Sequence, residues 1–257
     1  MNLSQTFTAL GETRTRLTPT HALFAPDGHV RTLLPGWTKT AVVVLVSAQV
    51  GARFTQYLAY LEAGGEGAST EHERFVFVLS GEVRLEGSTK SGGPRNLTEH
   101  DYAYLPAASP ATLRADAPAT LCVFERRYLP LPDVPAPEPV FGNERDVPGE
   151  AFLGDTGVTV RKLLPEQPSY DLMLSTMTFA PGRSLPFAET HVMEHGLLML
   201  SGGGIYRLSD AWYPVTEGDA IYMAPYCPQW FGALGDTEAK YLLYKDSFRD
   251  PFALAAG

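Results

Sequence analysis

Cysteine is almost absent from this chain: Cys122 and Cys227 are its only two, one in each half. A pair so placed supplies neither a disulfide framework nor a thiolate-rich zinc site, and both are expected as free thiols. Long apolar runs are missing as well. Even residues 38–50 (TKTAVVVLVSAQV) span little more than a strand, far short of a bilayer. The N-terminus MNLSQTFTALGETR lacks a charged region followed by an apolar one, so a soluble cytoplasmic protein without a membrane partner is expected. No block of Lys or Arg occurs and the formal net charge is −9, which removes the electrostatic footprint of nucleic-acid binding.

What is present is strand signal. Short β-branched and aromatic runs recur at 41–47, 54–61, 75–80, 82–86, 102–105, 120–126, 172–179, 197–201, 205–208, 220–223 and 240–245, bounded by Gly, Pro, Asp and Ser. Strands at this spacing describe an all-β sandwich or barrel, and nothing between them has the period of a long amphipathic helix. The 257 residues suffice for one large β domain or two smaller ones. Five prolines between Leu129 and Phe141 fix φ and remove donors, so this stretch is expected to run extended as a linker. The halves also repeat. Leu79-Ser80-Gly81 matches Leu200-Ser201-Gly202, Glu99-His100-Asp101 matches Glu217-Gly218-Asp219, and 120–126 lies where 239–245 lies in the second half. A period this long, seen twice, predicts two duplicated domains: residues 1–132, a linker at 133–140, and residues 141–257.

Chemistry concentrates in the second half. If 189–191 is a strand, Glu189 and His191 share a face, and a short turn at 192–194 lets His195 open the next strand beside them. The segment after Gly218 supplies a further strand and a Pro-bounded turn that can bring in Gln229 as a fourth group. Two imidazoles, a carboxylate and an amide oxygen form a mixed nitrogen and oxygen set, which suits octahedral Mn(II) or Fe(II) better than tetrahedral zinc.

Residues 182–202 and 218–229 resemble the paired motifs of the cupin superfamily. They depart from its common pattern of His-x-His, Glu and His: Glu189 takes the first position, His195 the usual Glu position, and Gln229 the usual last His. That swapped set resembles the (S)-ureidoglycine aminohydrolases, bicupins of purine ureide breakdown, and the likeness covers nearly the whole chain. It includes 23–37 (LFAPDGHVRTLLPGW), 124–130 (FERRYLP), 189–196 (ETHVMEHG), 200–208 (LSGGGIYRL), Trp212 and 241–246 (YLLYKD). The resemblance implies two tandem cupin barrels and a hydrolase that releases ammonia from (S)-ureidoglycine to give (S)-ureidoglycolate. The implied cofactor is Mn(II), with Fe(II) or another divalent ion compatible. It further implies that Glu189, His191, His195 and Gln229 hold the metal and that Glu189, Tyr241 and Lys245 are catalytic. Substrate would touch those three, Gln229 and Tyr206. A homo-oligomer is expected.

A lysine ammonium beside a phenol suits a substrate carboxylate, and Glu189 is the group best placed to move a proton. By spacing alone the alternatives stay open. Tyr241 reads as a barrel-filling aromatic, Lys245 equally as a strand-end lysine with its stem on apolar surface, and Tyr206 as lining or outer surface. Trp212, Trp230 and Phe231 read as core or interface. With Gly81 set on Gly202, the first half offers Ala68, Thr70, Arg74 and Ala111 at the four ligand positions, so its barrel is expected to be metal-free and structural. Glu71-His72-Glu73 reads as a solvated loop, and the N-terminal stretch to about His21 as a segment draped over the neighbouring barrel. Two other functions fit a bicupin: a different metal-dependent enzyme such as an Fe(II) dioxygenase, and a non-enzymatic small-molecule binder.

Overall fold

A computed structural model describes residues 13–87 and 93–249. Those residues form β1 (Arg16–Leu17), β2 (His21–Phe24), β3 (Trp37–Val46), β4 (Thr55–Gly67), β5 (Glu73–Ser80), β6 (Glu82–Glu86), β7 (Arg95–Thr98), β8 (Asp101–Leu105), β9 (Thr112–Ala115) and β10 (Ala119–Arg126). The second half continues with β11 (Val140–Asn143), β12 (Glu150–Phe152), β13 (Asp155–Lys162), β14 (Leu172–Phe179), β15 (His195–Ser201), β16 (Gly203–Leu208), β17 (Ala211–Thr216), β18 (Ala220–Met223), β19 (Gln229–Ala233) and β20 (Ala239–Asp246). All pairings are antiparallel, and the sheets curl as in a jelly roll. Among the described residues no helix is long and apolar enough to cross a membrane.

Three cores explain why the strands read as nearly continuous apolar runs. Leu121 and Val123 of β10 fill one barrel interior with Trp37, Tyr57 and Val76. Tyr241 and Leu243 of β20 fill the other with Phe179, Tyr206 and Phe231. The alternate residues Cys122, Phe124, Leu242 and Tyr244 point the opposite way and meet in a third core between the halves. Each central strand is therefore buried on both faces. Phe54 lies 4.0 Å centroid to centroid from Tyr244 in that third core, and Phe124 stacks on Tyr244 at 5.7 Å. Burying each such ring stabilises the contact by about 2 kcal/mol.

The repeated Leu-Ser-Gly has a backbone cause. Gly81 and Gly202 both adopt positive φ, at 79° and 65°, at the one-residue breaks where β5 passes into β6 and β15 into β16. A Cβ at Gly81 would lie 2.5 Å from the Pro118 carbonyl, and one at Gly202 would meet the Glu238 carbonyl, so only glycine fits either turn. The second landmark is a turn closed twice in the same way by an aspartate side chain: Asp101 accepts the Thr98 N–H at 2.7 Å and Asp219 that of Thr216 at 2.9 Å.

Strand pairing crosses the halves in both directions. β2 adds to β18 of the second half, and β11, which begins at the end of the Pro-rich stretch, adds to β8 of the first. Arg14 ties down the N-terminal segment through a bidentate pair with Asp219, at 2.6 and 2.8 Å. The expectation for residues 1–12 lies outside the described residues. Glu71 and His72 are exposed, but Glu73 departs from the expected loop: it opens β5 fully buried, accepting from Tyr104 at 2.7 Å.

Candidate active site

The candidate site lies inside the C-terminal barrel, where β15, β20 and β19 meet the irregular segment before β15. Residues 189–191 are not the strand that the spacing predicts. Glu189 makes a single isolated bridge to Gln229, exchanging both backbone hydrogen bonds at 2.8 and 2.9 Å. That exchange still sets the two residues opposite one another. The His191 carbonyl accepts the Tyr226 N–H at 2.8 Å, which pins the next turn of the segment. His195 opens β15 as expected and is buried, 2 % exposed.

The three nitrogen-bearing side chains touch. Gln229 Oε1 lies 3.2 Å from His195 Nδ1, and Gln229 Nε2 lies 3.1 Å from His191 Nε2. The two imidazole centroids are 4.6 Å apart. Burial, reinforced by Lys245, pulls both imidazoles below the ordinary histidine value, His195 the further. Both rings are therefore neutral, the form that binds metal. His195 Nε2 and His191 Nδ1 are buried without a hydrogen-bond partner.

The rest of the expected set surrounds them. Lys245 is the register partner of His195, and Tyr241 that of Met199, so β20 presents both toward the same interior. Burial lowers the Lys245 ammonium below the usual lysine value, and Glu189 opposes that shift. Tyr241 and Tyr206 are fully buried side by side, their hydroxyls pushed far up by burial with Glu189 contributing, so both remain protonated. Tyr241 donates to Met177 Sδ at 3.2 Å. Tyr206 thus lines the interior. Phe231 is core, whereas Trp212 is exposed and meets Trp230 edge-on.

Among the described residues no three His, Cys, Asp or Glu side chains form a ready metal cluster. The group is completed by the amide of Gln229, and the Glu189 carboxylate acts through space on Lys245 and both phenols. An unpartnered buried imidazole nitrogen beside a second imidazole and an amide oxygen, with Glu189 bridged through its backbone to Gln229, fits a divalent cation. The spacing missed Arg53, Glu194 and Asp246, which back the site from behind. No local pattern announces them, since Arg53 lies in the other half.

A family model described as a cupin domain matches residues 175–244, the stretch that carries most of these residues. A protein of Arabidopsis thaliana named (S)-ureidoglycine aminohydrolase is 42 % identical, the match covering 94 % of this chain and 80 % of that protein. One of the same name from Escherichia coli is 35 % identical over 89 % of each. The chain belongs to the (S)-ureidoglycine aminohydrolase family. The crystal structure of protein Ylba from E. coli superposes with a TM-score of 0.81 at 30 % identity, covering 95 % of this chain and 98 % of that one. The (S)-ureidoglycine aminohydrolase family thus supplies an enzyme class acting on a C–N bond, and its fold is the two-barrel cupin arrangement described above.

Proposed function

We propose that this chain hydrolyses (S)-ureidoglycine to (S)-ureidoglycolate and ammonia at the C-terminal barrel, using Mn(II) held by Glu189, His191, His195 and Gln229. The convergence of His191, His195 and Gln229 on one another carries the reading. When bound, such an ion supplies Lewis-acid stabilisation of charge as the C–N bond breaks. The side chains supply the rest. Lys245, short of solvent and without an ion-pair partner among the described residues, is a desolvated cation for the substrate carboxylate. Tyr241 and Tyr206, protonated at any working pH, offer neutral donors in the same space. Glu189 is the acceptor closest in influence to Lys245 and both phenols, which suits it to hold a proton taken from water and return it to the departing nitrogen. Phe231, Met177 and Phe179 keep the far wall dry.

The first barrel carries Arg74 where the second carries His195. Arg74 is engaged by Glu125 at 2.6 Å and the Ala68 carbonyl at 2.7 Å, which supports a structural, metal-free role for that barrel. The test is ammonia release from freshly prepared ureidoglycine with Mn(II) added and then chelated, the spontaneous decay subtracted. Metal-dependent release above background is expected; release that ignores chelation would remove the metal from the mechanism.

A further inference from the structure

The strand pair bearing His195 and Lys245 is held from both sides. His195 and Lys245 oppose each other across β15 and β20 and point into the barrel. Alternation turns their neighbours, Glu194 and Asp246, to the reverse face, where the N-terminal barrel packs. Both carboxylates are buried, and one side chain of the other half meets both. Arg53 donates Nη2 to Asp246 Oδ2 at 2.7 Å and Nε to Glu194 Oε1 at 3.4 Å. Its backbone N–H reaches the two Glu194 oxygens at 3.3 and 3.1 Å, and Asp246 Oδ1 accepts the Glu194 N–H at 2.7 Å. The contact continues along both chains. The Phe54 ring lies so close to Gly196 that a Cβ there would come within 2.6 Å of it, and Gln56 Nε2 donates to the Leu197 carbonyl at 3.3 Å. Residues 53–56 of the first half therefore grip 194–197 of the second.

We propose that Arg53 is a positioning residue. By bridging Glu194 and Asp246 it fixes His195 and Lys245 relative to each other, so the barrel that carries no metal set tunes the one that does. This rests on reading His195 as a metal ligand and Lys245 as a substrate ligand. Among the described residues Arg53 supplies every ion pair made by Glu194 and Asp246. A planar guanidinium can address two carboxylates at once, whereas a lysine ammonium is a single point charge. Arg53 touches neither His195 nor Lys245 by hydrogen bond; its action is carried by the backbone between them.

The test compares Arg53→Lys and Arg53→Met with Arg114→Met, which removes exposed pairs on the first barrel. Three readouts are taken on the full chain: ring ¹⁵N resonances of histidine in metal-free protein, Mn(II) affinity by titration with the metal alone, and kcat and KM separately at saturating Mn(II). Arg53→Lys is expected to fold, shift the His195 ring resonances, weaken Mn(II) binding about tenfold, and raise KM. Arg114→Met should match wild type in all three. Wild-type resonances, affinity and KM in either folded Arg53 variant overturn the proposal, and so does a failure of both to fold, which would make Arg53 a purely structural contact. If wild type itself releases no ammonia from ureidoglycine, the substrate reading fails, while the resonances and the Mn(II) titration still decide the positioning role.

Discussion

His195 and Gln229 meet at 3.2 Å, and each is too buried to lose its partner without consequence. His195→Ala and Gln229→Ala are each expected to abolish ammonia release and to lower bound manganese, measured by metal analysis of the purified variants. Unaltered turnover in either would refute the assignment. Lys245→Met separates substrate binding from metal binding. It should raise KM sharply or abolish turnover while manganese is retained; loss of the metal instead would place Lys245 in the ligand shell. Arg74 shows how one position differs between the barrels. Its guanidinium pairs with Glu125 at 2.6 Å and lies 5.5 Å from the Trp37 ring. Arg74→Ala should leave turnover and manganese unchanged yet cost about 3 kcal/mol of stability, because a half-buried carboxylate loses its partner. A thermal melt identical to wild type would contradict this.

At the level of elements, the start of β5 faces the end of β10 and the loop before β14. Glu73 lies 3.4 Å from Arg126, which also faces Asp171 at 3.5 Å and donates to the Tyr244 hydroxyl at 3.0 Å. Burial outweighs the nearby guanidinium, and with Asp171 alongside it pushes the Glu73 carboxyl up to about 9. The folded value therefore lies above the unfolded one near 4.5. The stabilisation is complete below that lower value and is lost as pH rises toward 9. Glu73→Gln, which keeps a neutral group there, is expected to flatten the fall of melting temperature with pH across this window. An unchanged slope would assign the pH dependence elsewhere. The same element scale shows why β7, β9, β12 and β13 escaped the hydrophobic reading. β7, β9 and β12 span only three or four residues, as in Thr112–Ala115 with its exposed Arg114, and the eight residues of β13 are mostly polar. Pro214 sits within β17, which is tolerated because β17 is an edge strand.

The whole molecule is held by the exchange of β2 and β11 between halves and by the core that unites Phe54, Phe75 and Phe124 with Tyr222, Leu242 and Tyr244. Neither half closes its own sheet or covers its own outer face. A fragment of residues 133–257 is therefore expected to aggregate when produced alone, since β18 loses β2 and the apolar face is bared, and to become soluble when residues 1–132 are produced with it. A soluble, cooperatively melting fragment would show that the interface is dispensable. The intact chain should unfold in one calorimetric transition.

The strings of alternating apolar residues, the doubled Leu-Ser-Gly and the run from Glu189 to His195 were readable because each is local: a side-chain period of two, a turn that admits only glycine, and donors a few residues apart. The shared face of Glu189 and His191 was argued from a strand period that 189–191 do not have; a lone bridge instead sets Glu189 opposite Gln229. Local pattern could not reveal that β2 belongs to the far sheet, that Glu73 is buried, or that Arg53 stands behind His195. Those depend on which surfaces two barrels present to each other, and the energy of that choice resides in contacts between residues far apart along the chain.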